Sequence, residues 1–205
     1  MAIDGLAGTG KSTLASLLAQ ELGLAFLDTG ATYRAVALLG LRKNIDTGDP
    51  QALITEFHAH EVRFEDRYLF IDGHDASSEI RRPAVSAAAS QVAVHPQLRQ
   101  VLVAWQRQFV KDHGGAVAEG RDVGTVVLPQ ASLKVFLYAD EEVRIQRRAE
   151  TPSLELIERD TRDSTRSAHP VVPAADAILL ETSEREIAEL VRELEGLYWL
   201  ASGKS

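Results

Sequence analysis

Gly5-Leu6-Ala7-Gly8-Thr9-Gly10-Lys11-Ser12 has the residue types and spacing to cradle a chain of phosphates. Glycines let successive backbone N–H groups turn inward around an anion, and a helix starting at the loop's end points its positive dipole at the same place. Lys11 can reach the β- and γ-phosphates as a mobile point charge, and the Ser12 hydroxyl can ligate the Mg²⁺ that bridges them. The competing reading, a glycine-rich turn that only joins a strand to a helix, arises by accident in roughly one chain of this length in a hundred. Such a loop does not say what is done with the nucleotide.

Three further sets of charged residues could act on the same ligand. Glu119-Gly120-Arg121-Asp122 follows the apolar run Ala116-Val117-Ala118, at the carboxyl end of an expected strand where burial leaves little room for idle charge. The bland alternative is an Arg121–Asp122 surface pair. Arg34 stands either at a second phosphate or on the surface of an ordinary helix. Arg159, Arg162, Asp163 and Arg166 are spaced to lie near one face of a helix. They belong either to a solvated face laced with pairs such as Glu158–Arg162 and Arg159–Asp163, or to a set of cations around transferring phosphate. The triphosphate expected at the glycine-rich loop favours the second, because phosphoryl transfer spreads negative charge that several cations must meet.

The elements that must position these residues alternate between strand and helix. Ala2-Ile3-Asp4 is a stub of strand, and residues 13–22 carry apolar side chains at 14, 17, 18 and 22, one face of a helix closed by Gly23. Leu24-Ala25-Phe26-Leu27 suits a buried parallel strand and delivers Asp28-Thr29-Gly30 to the sheet's carboxyl edge. Ala31 to Arg34 then begin a helix through Leu41. Asp49 and Pro50 suit the N-cap and first residue of another helix. Val62-Arg63-Phe64, a turn at 65–67 and Tyr68 to Ile71 read as an antiparallel hairpin, foreign to a βαβ succession. Residues 61–80 are therefore expected to be part of an inserted subdomain over the second substrate. Helices follow Pro83 and Pro96, the latter with Arg99 and Trp105; strands are expected at 133–137 and 177–180, and helices at 141–148 and after a Ser183/Glu186 capping box.

Composition bounds the rest. A chain of 205 residues suits one α/β domain with a real core. Its net charge of −8 offers no general attraction for nucleic acid or anionic membrane, so a small-molecule partner is expected. With no cysteine there is no disulfide framework, thiolate metal site or thiol nucleophile. No apolar run approaches a membrane span, and catalytic sequence begins within a few residues of Met1, so a cytoplasmic location is expected. Nothing calls for an obligatory protein partner, and a monomer suffices.

The phosphate loop, Asp28-Thr29-Gly30-Ala31-Thr32-Tyr33-Arg34, residues 119–127 and residues 159–166, taken together, closely resemble the bacterial cytidylate kinases. The resemblance is distributed from Ile3 to about Ser183 and includes the hairpin. It implies a single α/β domain over 1–205 with the P-loop nucleoside triphosphate hydrolase fold, a five-stranded parallel sheet flanked by helices. It further implies an inserted CMP-binding subdomain at about 34–112, with its hairpin near 61–73, and a short lid at about 149–166.

The implied reaction is transfer of the γ-phosphoryl of ATP to CMP or dCMP, with Mg²⁺. By resemblance Gly5, Leu6, Ala7, Gly8, Thr9, Gly10, Lys11, Ser12 and Thr13 hold ATP, with Ser12 at the metal. Ser90, Arg99 and Asp122 read cytosine; Asp163 and Arg159 meet the ribose; Arg34, Arg121, Arg162 and Arg166 surround the phosphates. Lys11, Arg121, Arg162 and Arg166 are the implied catalytic residues. Departures from the family pattern are Leu6 in place of proline, His169 before Pro170 where alanine is usual, and a short stretch between Arg148 and Arg159. The rivals are a P-loop kinase acting on UMP, AMP or a non-nucleotide acceptor, and a nucleotide-dependent switch. The switch is expected to carry a guanine-reading Asn-Lys-x-Asp motif, which does not occur in this chain.

Overall fold

The computed structural model describes residues 1–147 and 171–203. In chain order these form β1 (Ala2–Gly5), α1 (Lys11–Leu22), β2 (Ala25–Asp28), α2 (Thr29–Lys43), α3 (Pro50–His58), β3 (Val62–Glu65), β4 (Tyr68–Ile71), β5 (His74–Asp75), α4 (Pro83–Val92), α5 (Pro96–Asp112), β6 (Ala116–Gly120), β7 (Lys134–Tyr138), α6 (Glu141–Gln146), β8 (Ile178–Glu181) and α7 (Ile187–Ser202). They fall into two compact units, Met1–Phe26 with Val110–Ser205, and Leu27–Phe109. The expected helix carrying Arg159, Arg162, Asp163 and Arg166 lies outside the described residues, as do Arg148 and the short stretch that follows it.

The first unit is built on a five-stranded parallel sheet in the order β2-β6-β1-β7-β8, which the chain leaves within β2 to enter the second unit. This is the α/β fold expected from the sequence. Ala2 to Asp4 stand beside Ala118 to Gly120, and Ala2 to Gly5 beside Lys134 to Leu137. Being central and covered on both faces, β1 is buried throughout. Leu14, Leu18 and Leu22 of α1 meet Leu190, Leu194 and Tyr198 of α7 over Ile3, Val135 and Leu137, and each fully buried leucine there contributes about 1.5–3 kcal/mol. Leu17 does not join them: the buried stripe runs through 14, 15, 18, 19 and 22, leaving Leu17 at the rim, 36% exposed.

The second unit joins helices to a small antiparallel sheet, β3-β4-β5. Its hairpin pairs Glu65 with Tyr68 across the two-residue turn Asp66-Arg67, and β5 adds a short third strand. Asp49 caps α3 by accepting the Ala52 N–H at 3.0 Å, with Pro50 following it. Phe57, Phe64, Trp105 and Phe109 form an aromatic cluster, with Trp105 and Phe109 stacked at 5.9 Å and Phe64 edge-on to Phe109 at 5.8 Å.

Besides Leu17, local signals erred in two places. α2 begins at Thr29, directly at the end of β2, because the Asp28 side chain caps it by accepting the Ala31 N–H. The Ser183/Glu186 capping box does not form. Ser183 Oγ instead accepts the Asp140 N–H at 2.8 Å, and α7 starts at Ile187 with no side-chain cap.

Candidate active site

The loop between β1 and α1 is shaped from outside by ties to its carbonyls. Thr9 Oγ1 and Lys11 Nζ donate to Leu6 O at 2.9 and 3.0 Å, Arg144 Nη1 to Ala7 O at 3.1 Å, and Thr182 Oγ1 to Thr9 O at 3.0 Å. Binding carbonyls outward leaves the N–H side of the loop to face a ligand. Glycine is obligatory at Gly5 and Gly8. Both have positive φ, of 152° and 81°, and a Cβ would lie 2.5 Å from Leu137 O in the first case and 2.6 Å from Arg144 O in the second. α1 then starts at Lys11 without a side-chain cap, the arrangement in which a helix N-terminus takes an anion.

Beside this loop stand two buried carboxylates. Glu119 lies within β6, only 3% exposed, and its Oε1 accepts the Ser12 hydroxyl at 2.6 Å. Asp4, also 3% exposed, accepts the N–H groups of Val123 and Gly124 at 2.6 and 2.7 Å, one on each carboxylate oxygen. Burial pushes its pKa up to about 6, against the pull of the two amides and of Lys11, with Asp122 adding to the rise. Val123–Val127 is a single π-helical turn, with Val127 and Leu128 bonded back to the carbonyls five residues before them. Asp122 is its N-cap residue and is buried; Arg121 is half-buried.

In the second unit, half-buried Arg34 pairs with the buried Asp28 carboxylate. Arg34 Nη2 donates to Asp28 Oδ2 at 2.6 Å while Asp28 Oδ1 caps α2. Burial alone raises a carboxyl's pKa, but Arg34, the Ala31 amide and Arg81 outweigh it and hold Asp28 below the usual carboxylate range. Gln106 of α5 ties down the same helix end, donating to Thr32 Oγ1 at 2.7 Å and to Thr29 O at 3.3 Å. Arg99, buried on α5, stacks over the Tyr33 ring at 5.6 Å and donates to Ala93 O.

Against this geometry the comparisons with known proteins are decisive. The family model described as "Cytidylate kinase" matches residues 1–198. The chain belongs to the cytidylate kinase family. A "Cytidylate kinase" of Pelotomaculum thermopropionicum is 44% identical over 94% of this chain and 92% of its own length. One of Burkholderia vietnamiensis is 44% identical over 96% and 90%. A crystal structure of TT1252 from Thermus thermophilus spans 100% of this chain and 97% of its own at 18% identity and a TM-score of 0.46, too distant to carry an argument.

The residues singled out in the sequence distribute over both units. Gly5 to Thr13, Arg121 and Asp122 belong to the first; Arg34, Ser90 and Arg99 belong to the second. Burial of Asp122, and the pairing of half-buried Arg34 with the buried Asp28 carboxylate, argue against either as an ordinary surface charge. Ser90 lies on α4, its hydroxyl bonded to Ser86 O at 3.3 Å. Arg159, Arg162, Asp163 and Arg166 lie outside the described residues. Asp4, Gln106, Arg144 and Thr182 escaped the sequence reading as site residues. Asp4 left one signal, a carboxylate in a strand otherwise apolar; Arg144 and Thr182 left none, since their partners are 137 and 173 residues away. Among the described residues no three His, Asp or Glu side chains gather to hold a metal, and no helix is long and apolar enough to cross a membrane.

Proposed function

We propose that the protein transfers the γ-phosphoryl group of ATP to CMP or dCMP, giving ADP and CDP or dCDP. The observation that carries this reading is the cytidylate kinase match over residues 1–198, which takes in the phosphate loop. A phosphate oxygen of the monophosphate forms the new bond to the γ-phosphorus as the bond to the β–γ bridging oxygen breaks and ADP leaves. The enzyme needs no nucleophile of its own and contributes alignment and charge. Gly5 to Thr13 hold ATP, with Lys11 at the transferring phosphoryl. Ser12 and Glu119 present neighbouring hard oxygen donors, which fits Mg²⁺ held largely by phosphates and water. When bound, that ion supplies charge neutralisation at the phosphates.

The second unit, Leu27–Phe109, overlaps most of the span of about 34–112 that we read as the CMP-binding subdomain. Arg34, with Arg121, Arg162 and Arg166, meets the phosphates; Arg159 and Asp163 meet the ribose, and residues 149–166 act as the lid. The internal Asp28–Arg34 pair supports Arg34, because a guanidinium fixed on a buried carboxylate is already oriented. ATP and CMP are metabolites of the cytoplasm, and we place the enzyme there, acting on small molecules with no need of nucleic acid or of an obligatory protein partner, so that a monomer suffices.

Base choice follows from donors and acceptors. Cytosine offers an amine at C4 and acceptors at N3 and O2, whereas uracil has a carbonyl at C4 and a proton on N3. Asp122 suits the amine, and Arg99 with Ser90 suits the acceptors. With UMP the carboxylate would face an oxygen, a mismatch that discriminates strongly when buried.

The test is ADP release with CMP, dCMP, UMP and AMP as acceptors, in wild type and Asp122→Ala. CMP and dCMP should dominate, and Asp122→Ala should lower efficiency with CMP far more than with UMP. ADP release indifferent to the acceptor would point to a hydrolytic switch instead. Arg162→Ala and Arg166→Ala should each lower turnover relative to Arg192→Ala in α7; equal kinetics for all three would remove the lid arginines from the reaction.

A further inference from the structure

Asp122 occupies the N-cap position of the π turn, where an aspartate ordinarily folds its carboxylate back onto the first amides of its own turn. It does not do so here. Such a cap would accept from Gly124 or Thr125, and the Gly124 amide, together with that of Val123 before it, is taken by Asp4, 120 and 119 positions earlier in the chain. We propose that Asp4 is a positioning residue for the acceptor base, capping the turn in place of Asp122 and so keeping the Asp122 carboxylate turned to the nucleotide. The inference rests on the assignment of Asp122 to cytosine made above.

Several features agree with such a role. A carboxylate in the central strand of a sheet is unfavourable unless something requires it, and Asp4 keeps one despite a pKa raised toward neutrality by burial. Its fit is close: a Cβ on Gly124 would lie 3.2 Å from Asp4 Oδ2 and 3.3 Å from Lys134 Cδ, so that glycine admits the carboxylate. Both oxygens are used, and they hold two successive amides at short, charge-assisted distances, which fixes the turn in rotation as well as position. Asp4 also directly precedes Gly5, so the phosphate loop and the base-reading turn share one strand as their reference. Among the described residues, Lys11 and Asp122 are the charged groups that act on Asp4 from outside β1.

Asparagine at this position keeps one acceptor and turns a donor toward one of the two amides, which frees Asp122 to cap its own turn. Asp4→Asn should therefore raise KM for CMP by about 10- to 100-fold, the scale of a lost hydrogen bond to a charged group, and leave KM for ATP within about twofold. In an Asp122→Ala background the same substitution should add nothing, since the two act through one contact. The proposal is overturned if Asp4→Asn multiplies KM for CMP equally in both backgrounds, or raises KM for ATP in step. Should Asp4→Asn not fold, Gly124→Ala crowds the same contact from the other side, and its outcomes are judged by the same rule. If Asp122→Ala alone leaves KM for CMP unchanged, the base assignment falls and this inference falls with it. That result is distinct from an additive effect of Asp4→Asn, which removes only the role of Asp4.

Discussion

Asp4 and Asp28 occupy equivalent places, each at the carboxyl end of a parallel strand and each buried, yet their protonation is driven in opposite directions. In the first unit Asp4 is hydrogen-bonded by two backbone amides, with the charge of Lys11 acting on it less than either, and burial wins, lifting its pKa to about 6. In the second unit Asp28 has the Arg34 guanidinium at 2.6 Å as well as a helix amide, and attraction outweighs the same desolvation. Partner charge, more than depth, decides whether a buried carboxylate stabilises the fold or strains it. The contrast matches the two tasks. Asp28 orients a cation that must stay charged, whereas Asp4 orients a segment of backbone.

The largest way to break this contrast is Asp28→Asn. It removes the anionic partner of a largely enclosed guanidinium, so stability should fall by up to about 3–5 kcal/mol, read from urea unfolding at neutral pH. Because the pKa of Asp28 is lowered on folding, its contribution should be present above the unfolded value of 3.8 and vanish as pH falls through the folded one. An undiminished midpoint would show that the pair contributes nothing.

On the donor side, Lys11→Ala should leave circular dichroism unchanged while cutting turnover by on the order of 10²- to 10³-fold, as expected when a cation facing developing charge is lost. A folded variant with near-normal turnover would dissociate the loop from catalysis. Asp4 sharpens the comparison through pH. Its pKa is raised on folding, so its protonated form is favoured by the fold. Wild type should then gain stability relative to Asp4→Asn as pH drops from about 7.5 to 4, by at most about 3 kcal/mol. Thermal melts of both proteins across that range check it, and parallel curves would refute the raised pKa.

The smallest effect belongs to the surface of the second unit. There His60 bridges Asp72 at 2.5 Å and Glu56 at 3.0 Å, and these bonds raise its pKa. Stability from this clasp should be complete below pH 6.5 and fade as pH rises through the elevated value. His60→Ala should cost under about 1 kcal/mol even at pH 5.5, detectable as a small shift in melting temperature that disappears at high pH.

What could be read from the sequence was whatever the chain settles locally. Gly23 stops α1 in a left-handed conformation, Asp49 and Pro50 start α3, and the Asp66-Arg67 turn sets the hairpin, each within a few residues of the signal. The phosphate loop was legible for the same reason, since its shape depends on three glycines within six residues, at 5, 8 and 10. Leu17 and the Ser183 box misled because packing and a distant amide, that of Asp140, overrode local preference. Asp4, Arg144 and Thr182 act across more than a hundred residues, and no periodicity announces a contact of that span.

The position of β1 in the sheet also has a consequence in time. Its neighbours β6 and β7 begin at Ala116 and Lys134, so the strand that carries the phosphate loop has nothing to pair with until most of the chain has left the ribosome. The second unit, Leu27–Phe109, is by contrast one unbroken stretch whose contacts are nearer in sequence. During synthesis the helices and hairpin of that stretch can therefore form first. The phosphate loop would be among the last parts shaped, when Thr182 finally reaches Thr9.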